Sequence, residues 1–543
     1  MTTFEPRGEE QRRVVEHDGP LLVVLGGAGT GKTLCALAAA SAHLTRSSTP
    51  ATDRVLFLSF SRAAVARIED RSRGVLGVER DRVDVSTFHA LAYSIVRRFG
   101  SLIGRPNAVL VSPARQLMGS TPGSIGYRDL IPLALEILRA APAVRAHMQE
   151  RWGLVIVDEF QDTGDQQQEF LEELTHGGRQ ILLGDEDQCI YTFLASDGVR
   201  VRRIRDASNL AGPDSTVMLP DVSHRDPTQV IPAIARAIQR RQFTSPALTD
   251  ALASGRLVVH DPVALEDEVA AVATLVRALR KEGMGVAVFT HHNDMLARLS
   301  DGLEEDGIQH EIAGLSDALA CALDAQTAML QFACADALWE DVLDALAVFV
   351  TSAQRGGQVP QLARDIKGGT GSSTLQSRLN ELRTALDGAP IDTALAVASD
   401  AHETVGLPSK SSAWHDASVL IGTMRARARR QLGPVAPIQA VARTIAAEAR
   451  EATYTALTES VVKPRQVQLM NLYQTKGREA DATVVVLREG DWLGREGEPW
   501  PDASRLLYVV FSRARERVII LAVGDDLHAA VRPLGQLAPN LGA

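Results

Sequence analysis

Lys32 and Thr33, closing a glycine-rich run, are the residues of this 543-residue chain whose type and spacing first suggest chemistry. They end the stretch LLVVLGGAGTGKT, in which Leu21 to Leu25 read as a buried strand and the following LCALAAA reads as a helix. Strand, loop and helix match the pattern G-x-x-x-x-G-K-[ST], a phosphate cradle built from loop N–H groups and the positive end of a helix. The cradle would be Gly26, Gly27, Ala28, Gly29, Thr30 and Gly31, with Lys32 reaching the β- and γ-phosphates and the Thr33 hydroxyl holding Mg²⁺. The bland alternative is a tight turn that happens to precede a lysine. The strand before it and the helix after it argue against that.

A second cluster lies in WGLVIVDEFQDT, where a strand from Leu154 to Val157 runs into acidic and amide groups. Asp158, at the strand end, is placed to hold Mg²⁺, and Glu159 to orient and deprotonate an attacking water. A carboxylate pair capping the next helix is the competing reading. QILLGDEDQCIYTF repeats the pattern, and there the neutral amide of Gln188 can sense a γ-phosphate without competing for the metal. Ahead of the glycine loop, Gln11 on a short helix could pair bidentately with an adenine edge. Aromatic residues make up only 4% of the chain, yet Phe60, Phe88, Phe160, Tyr191 and Phe193 all fall at or just past strand ends. Ligands bind at the carboxyl ends of strands in open parallel sheets, and aromatic faces there can stack on the bases of a single strand. Taken singly, each is more often a core residue.

Such groups need a parallel α/β scaffold to bring them together, and the chain is long enough for about three to four domain-sized units. Cys35, Cys189, Cys321 and Cys334 are far apart and form no metal-binding or disulfide pattern, which fits a reducing cytoplasm. An N-terminal apolar leader and any run of 18 apolar residues are both missing, so neither a signal peptide nor a membrane span is expected. A formal charge of −10 argues against coating a polyanion wholesale but says little about one basic groove.

In order, these motifs resemble the UvrD/Rep/PcrA family of superfamily 1 DNA helicases. GGAGTGKT is similar to the family's first motif, VLFLSFSRAAVARIEDR to motif Ia, STFHALA to Ib, VIVDEFQDT to II and LLGDEDQCIYTF to III. HRDPTQVIPAIARAI resembles motif IV, MNLYQTKGREADATVVVL motif V and RLLYVVFSRARERVIIL motif VI. The resemblance implies that ATP and Mg²⁺ are bound and that Gln11 reads adenine. It also implies that Arg225 and Arg513 reach the γ-phosphate from a second motor domain and that Glu479 meets the ribose. Phe60, His89 and Phe193 match positions that contact single-stranded DNA. Three departures stand out: His224 replaces an aromatic that packs on the nucleotide base, Leu194 replaces an arginine, and Tyr473 replaces a histidine on the DNA track.

The fold expected is α/β, with two RecA-like P-loop domains, a reduced 1B insertion and a helical 2B-like insertion. Residues 1–215 would form the first RecA-like domain, with a short, loop-like 1B-like segment at about 101–126. Residues 216–314 and 461–543 would form the second. Between them, 315–460 loses strand alternation. Leu338, Val342, Leu346 and Val350 recur every four residues, as do Leu375 and Leu379 with Leu382 and Leu386 beyond, so this insert reads as helical. The expected activity is single-strand-stimulated ATP hydrolysis with movement along DNA, 3′ to 5′ by resemblance. Expected partners are single strands and single/double-strand junctions, with any nuclease on another chain. Two alternatives stay open: a nucleotide-gated regulatory component of a nuclease or anti-phage assembly, and a DNA-binding module with a degenerate ATPase.

Overall fold

The computed structural model describes residues 4–119, 123–175, 177–190, 202–291, 293–312, 316–353, 358–408, 410–433, 436–458, 466–494 and 501–537. The chain divides into two compact units, one comprising 1–95, 131–313 and 462–543, the other 96–130 and 314–461.

The first unit holds two six-stranded parallel sheets among its described residues. In chain order the strands are β1 (Leu21–Leu25), β2 (Arg54–Ser59) and β3 (Val83–Thr87). After two short strands, β4 (Val109–Leu110) and β5 (Ser124–Ile125), come β6 (Trp152–Val157), β7 (Arg179–Gly184) and β8 (Thr216–Met218). The first sheet runs β3-β2-β6-β7-β1-β8. Its central strands are covered on both faces, which is why Val55 to Leu58 and Leu154 to Val157 are continuous apolar runs with no alternation. β8 lies past the boundary expected at 215 and completes this sheet, pairing its three residues with Val23 to Leu25. A second sheet, β11-β12-β10-β13-β14-β9, is built from β9 (Leu257–Val263), β10 (Val286–Thr290), β11 (Glu311–Ile312), β12 (Val467–Asn471), β13 (Ala480–Arg488) and β14 (Ala514–Val523). Two parallel sheets of this kind are what RecA-like domains require.

The other unit is helical between Ser316 and Thr458. Its core gathers Val342, Leu346 and Val350 with Leu375, Leu379, Leu382 and Leu386 around Trp414. The Trp414 indole N–H is shared between the carbonyls of Ala398 and Ser399, each at 3.0 Å, and Phe349 meets the ring edge-on at 4.9 Å. Leu338 departs from the four-residue pattern and is 68% exposed. It precedes the helix Trp339–Ala353, where its N–H donates to Asp341 Oδ2 at 2.8 Å, so it sits on the cap and not on the buried face. The 101–126 segment, read from sequence as loop, carries β4, β5 and the helix Pro113–Met118. Ala114 belongs to the helical core, and Arg115 and Lys367 both pair with Asp344. Two strand residues or a single helical turn and a half are too few to show a period, which is why this segment reads as irregular in sequence.

Candidate active site

β1 delivers the glycine loop to the helix Lys32–Thr45. Gly29 and Gly31 have φ of +82° and +95°, values L side chains rarely adopt, and a Cβ on Gly29 would fall on Ser223 Oγ. Thr30 Oγ1 donates to Gly27 O at 3.0 Å, and Lys32 Nζ donates to Gly26 O at 2.5 Å and Gly27 O at 3.1 Å, so the ammonium is held over the loop. Thr33 Oγ1 donates to Asp158 Oδ2 at 3.2 Å, bringing a hydroxyl and a carboxylate from two neighbouring elements to one point.

Asp158 ends β6, and burial, with Glu159 beside it, pushes its carboxyl up. Glu159 adopts φ +55°, a left-handed conformation unusual for a non-glycine residue and characteristic of functional sites. Burial would raise its pKa. The cations Lys476, Lys32 and Arg513 and the Gln161 amide outweigh burial and hold it at about 2. Gln161 Nε2 donates to Glu159 Oε2 at 2.6 Å, and its Oε1 accepts from Asp185 N at 3.2 Å, which ties this acid to the end of β7. Gln188 is buried there, with Nε2 donating to Asp185 Oδ2 at 2.8 Å.

Across the cleft, the helix Pro501–Phe511 and the turn after it present the second sheet's groups. Arg513 is 2% exposed and donates through Nη2 to Gln188 Oε1 at 2.8 Å. Burial and Arg225 lower its pKa to about 10, leaving it charged at neutral pH. Arg225 donates to Ser512 O and, at 2.8 Å, to Glu479 Oε1. His224 N donates to Gly29 O at 2.8 Å, and its ring lies 3.5 Å from where a Cβ on Gly31 would stand, with Gln11 Nε2 3.7 Å from the same point. Gln11 Oε1 accepts from Arg7 N at 2.8 Å, which fixes the amide's orientation. The set fits a magnesium nucleotide: hard oxygen donors at Thr33 and Asp158, a positively lined loop, and an amide beside it.

A family model described as the UvrD/REP helicase N-terminal domain matches residues 7–118 and 107–206. The ATP-dependent DNA helicase UvrD1 of Mycobacterium tuberculosis (strain ATCC 25618 / H37Rv) is 26% identical over 386 residues, covering 56% of this chain and 49% of the relative. The ATP-dependent DNA helicase PcrA of Leuconostoc citreum is 28% identical over 247 residues, 34% of this chain and 33% of its own. The chain is similar to the UvrD/Rep/PcrA helicases, and the family model covers its residues 7–206. It spans about half the length of UvrD1. A third relative, the exonuclease/helicase subunit RexA of Lactococcus lactis subsp. cremoris, is 32% identical over 94 residues, 17% of this chain and 8% of its own.

In this UvrD-like chain the structure brings Lys32, Thr33, Asp158, Glu159, Gln188, Arg225 and Arg513 together, with Gln11 and His224 at the loop's far end. Glu479 does not stand open toward a ribose. Its carboxylate is taken up by Arg67, Arg71, Arg225 and Arg515, and despite its burial these cations hold its pKa far below the usual range. Tyr473 packs at 6.4 Å from His291 and lines a pocket with Cys189, Ile190, Trp492 and Leu493. Phe88 and Phe160 are buried and present no face for stacking, whereas Phe60 and His89 are half-buried. Phe193, Tyr191 and Leu194 lie outside the described residues. Sequence reasoning missed Lys476, buried in an ion pair with Asp162 and 3.6 Å from Glu159. It also missed Tyr508, whose hydroxyl reaches Asp185 Oδ2 at 3.4 Å. Both stand inside motif-like stretches, but no local spacing shows that a lysine more than 300 residues away will meet a carboxylate.

Proposed function

We propose that this chain is an ATP-driven DNA motor: it hydrolyses ATP when single-stranded DNA occupies a groove across both sheets, and steps along that strand 3′ to 5′. The observation that carries the reading is the 2.8 Å bond from Arg513, on the second sheet, to Gln188, on the first. The hydrolytic set draws on both sheets, Lys32, Thr33, Asp158, Glu159 and Gln188 from the first and Arg513 from the second, so turnover requires the cleft to be shut. A charge delivered across such a cleft is worth roughly 10³–10⁵ in rate. Thr33 and Asp158 would hold Mg²⁺, which when bound supplies charge neutralisation at the phosphates. Lys32 and Arg225 add to that neutralisation, and ionised Glu159 orients water and accepts its proton. Gln11 and His224 would meet the base. Phe60, His89, Phe193 and Tyr473 would line the track.

A second reading draws on the name of the Lactococcus relative, which joins exonuclease to helicase. In it, the chain is a nucleotide-gated partner of a nuclease carried elsewhere, unwinding weakly by itself. ATPase rates with and without single-stranded DNA, followed by strand displacement on 3′- and 5′-tailed duplexes, decide the matter. Stimulated turnover with 3′-tailed preference supports the motor. Turnover indifferent to DNA sinks it, and stimulated turnover without displacement until a nuclease is added favours the second reading.

A further inference from the structure

Glu479 is shared by side chains from both sheets. Its Oε1 accepts from Arg67 Nη1 and Arg225 Nη2, each at 2.8 Å. Arg71 stands 3.8 Å from the same oxygen, and Arg515 donates to Oε2 at 3.3 Å. Arg67 and Arg71 lie one turn apart on the helix Arg62–Val75, which starts two residues after Phe60 at the end of β2. The loop before Glu479 presses on the start of that helix. Gly477 has φ +78°, and a Cβ there would stand 2.7 Å from Ala64 N and 3.0 Å from Ala63 C. A junction too tight for a methyl group passes displacement on, since close-packed backbone has no slack to absorb it.

On the far side, Arg225 holds Ser512 O, the residue before Arg513. Contacts therefore run from Phe60 through the helix to Arg67, Glu479, Arg225 and the segment bearing Arg513. Charge balance alone does not call for four guanidinium groups around one nearly buried carboxylate. What the surplus permits is exchange. If Arg225 swings toward a phosphate, Arg67 and Arg71 keep Glu479 paired, and no buried carboxylate is left bare at the cost such a group incurs.

We propose that Arg67 is a positioning residue: through Glu479 it sets where Arg225 and Arg513 stand, making hydrolysis answer to the strand end that carries Phe60. This rests on the motor reading above. The test is steady-state ATPase of the full chain with and without an oligo-deoxythymidine strand, at saturating ATP, for the parent, Arg67→Gln, Arg67→Lys and Arg71→Gln. Arg67→Gln should cut the fold stimulation by about tenfold, within the roughly 5–150-fold typical of coupling between sites. The DNA concentration for half-stimulation should hardly move. Arg67→Lys should recover part of the loss, and Arg71→Gln, with its longer contact, should lose less. Arg67→Gln added to Glu479→Gln should cost nothing further, because the two act through one bond. Parental stimulation in Arg67→Gln overturns the inference while leaving the motor standing. So does an equal loss in the Lys and Gln variants accompanied by early melting. A parent without DNA-stimulated turnover overturns both.

Discussion

Glu159 keeps its charge in a largely buried place because three cations and the Gln161 amide face it, and its role can be separated from that of Lys32 by substitution. Glu159→Gln should bind ATP nearly as the parent does and lose hydrolysis, whereas Lys32→Ala should lose both, read by nucleotide titration beside single-turnover rates. Retained turnover in Glu159→Gln would remove it as the base. Arg513→Ala should lower the rate by about 10³-fold or more with a modest loss of affinity. The depressed pKa of Glu159 also fixes a stability trend. A carboxylate held at about 2 in the fold, against an ordinary 4.5, contributes stability that is full above 4.5 and is lost as pH falls toward 2. The gap in melting temperature between the parent and Glu159→Gln should therefore narrow on acidification through that window. A gap independent of pH would mean the cations do not act on this group.

The glycine loop and the helical core fail differently when changed, because one is bounded by backbone conformation and the other by volume. Gly29→Ala meets both a left-handed φ and Ser223 Oγ, so it should abolish ATPase and also lower the melting transition. Trp414 is fully buried and bonded through its indole N–H, so Trp414→Ala should cost about 3–5 kcal/mol in denaturant unfolding. A cost below about 1 kcal/mol would show that the surrounding helices collapse into the space.

A motor can step with two clefts that open and close, but separating base pairs also needs a hold on the duplex. The segment at 101–126 is short, and its helix Pro113–Met118 is taken into the helical unit, with Ala114 in that unit's core. Opening a duplex costs about 1.4 kcal/mol per step, which a motor without duplex grip loses by slipping. The lone chain should thus translocate on single strands and displace long duplexes poorly in single-turnover assays with a trap, and a partner that supplies grip should raise displacement. Efficient unwinding by the isolated chain would refute this. Phe60→Ala should weaken single-strand binding by ~1–3 kcal/mol without changing its salt dependence, since stacking releases no counterions.

What the sequence determined by itself is local. The glycine loop, the acid pair after β6 and the amide after β7 are readable because strand, turn and helix chemistry act within a dozen residues, and buried parallel strands announce themselves as unbroken apolar runs. The α/β class followed from those runs, and the helical insert from its four-residue period. Only the tertiary structure decided which distant groups meet. It placed Lys476 beside Glu159, Arg67 on Glu479 and β8 in the first sheet, and it moved the 101–126 segment into the helical core. The physical reason is that a buried charge is stable only beside its partner, while the partner's identity depends on which strand ends the sheet order brings together, and no spacing along the chain records that order.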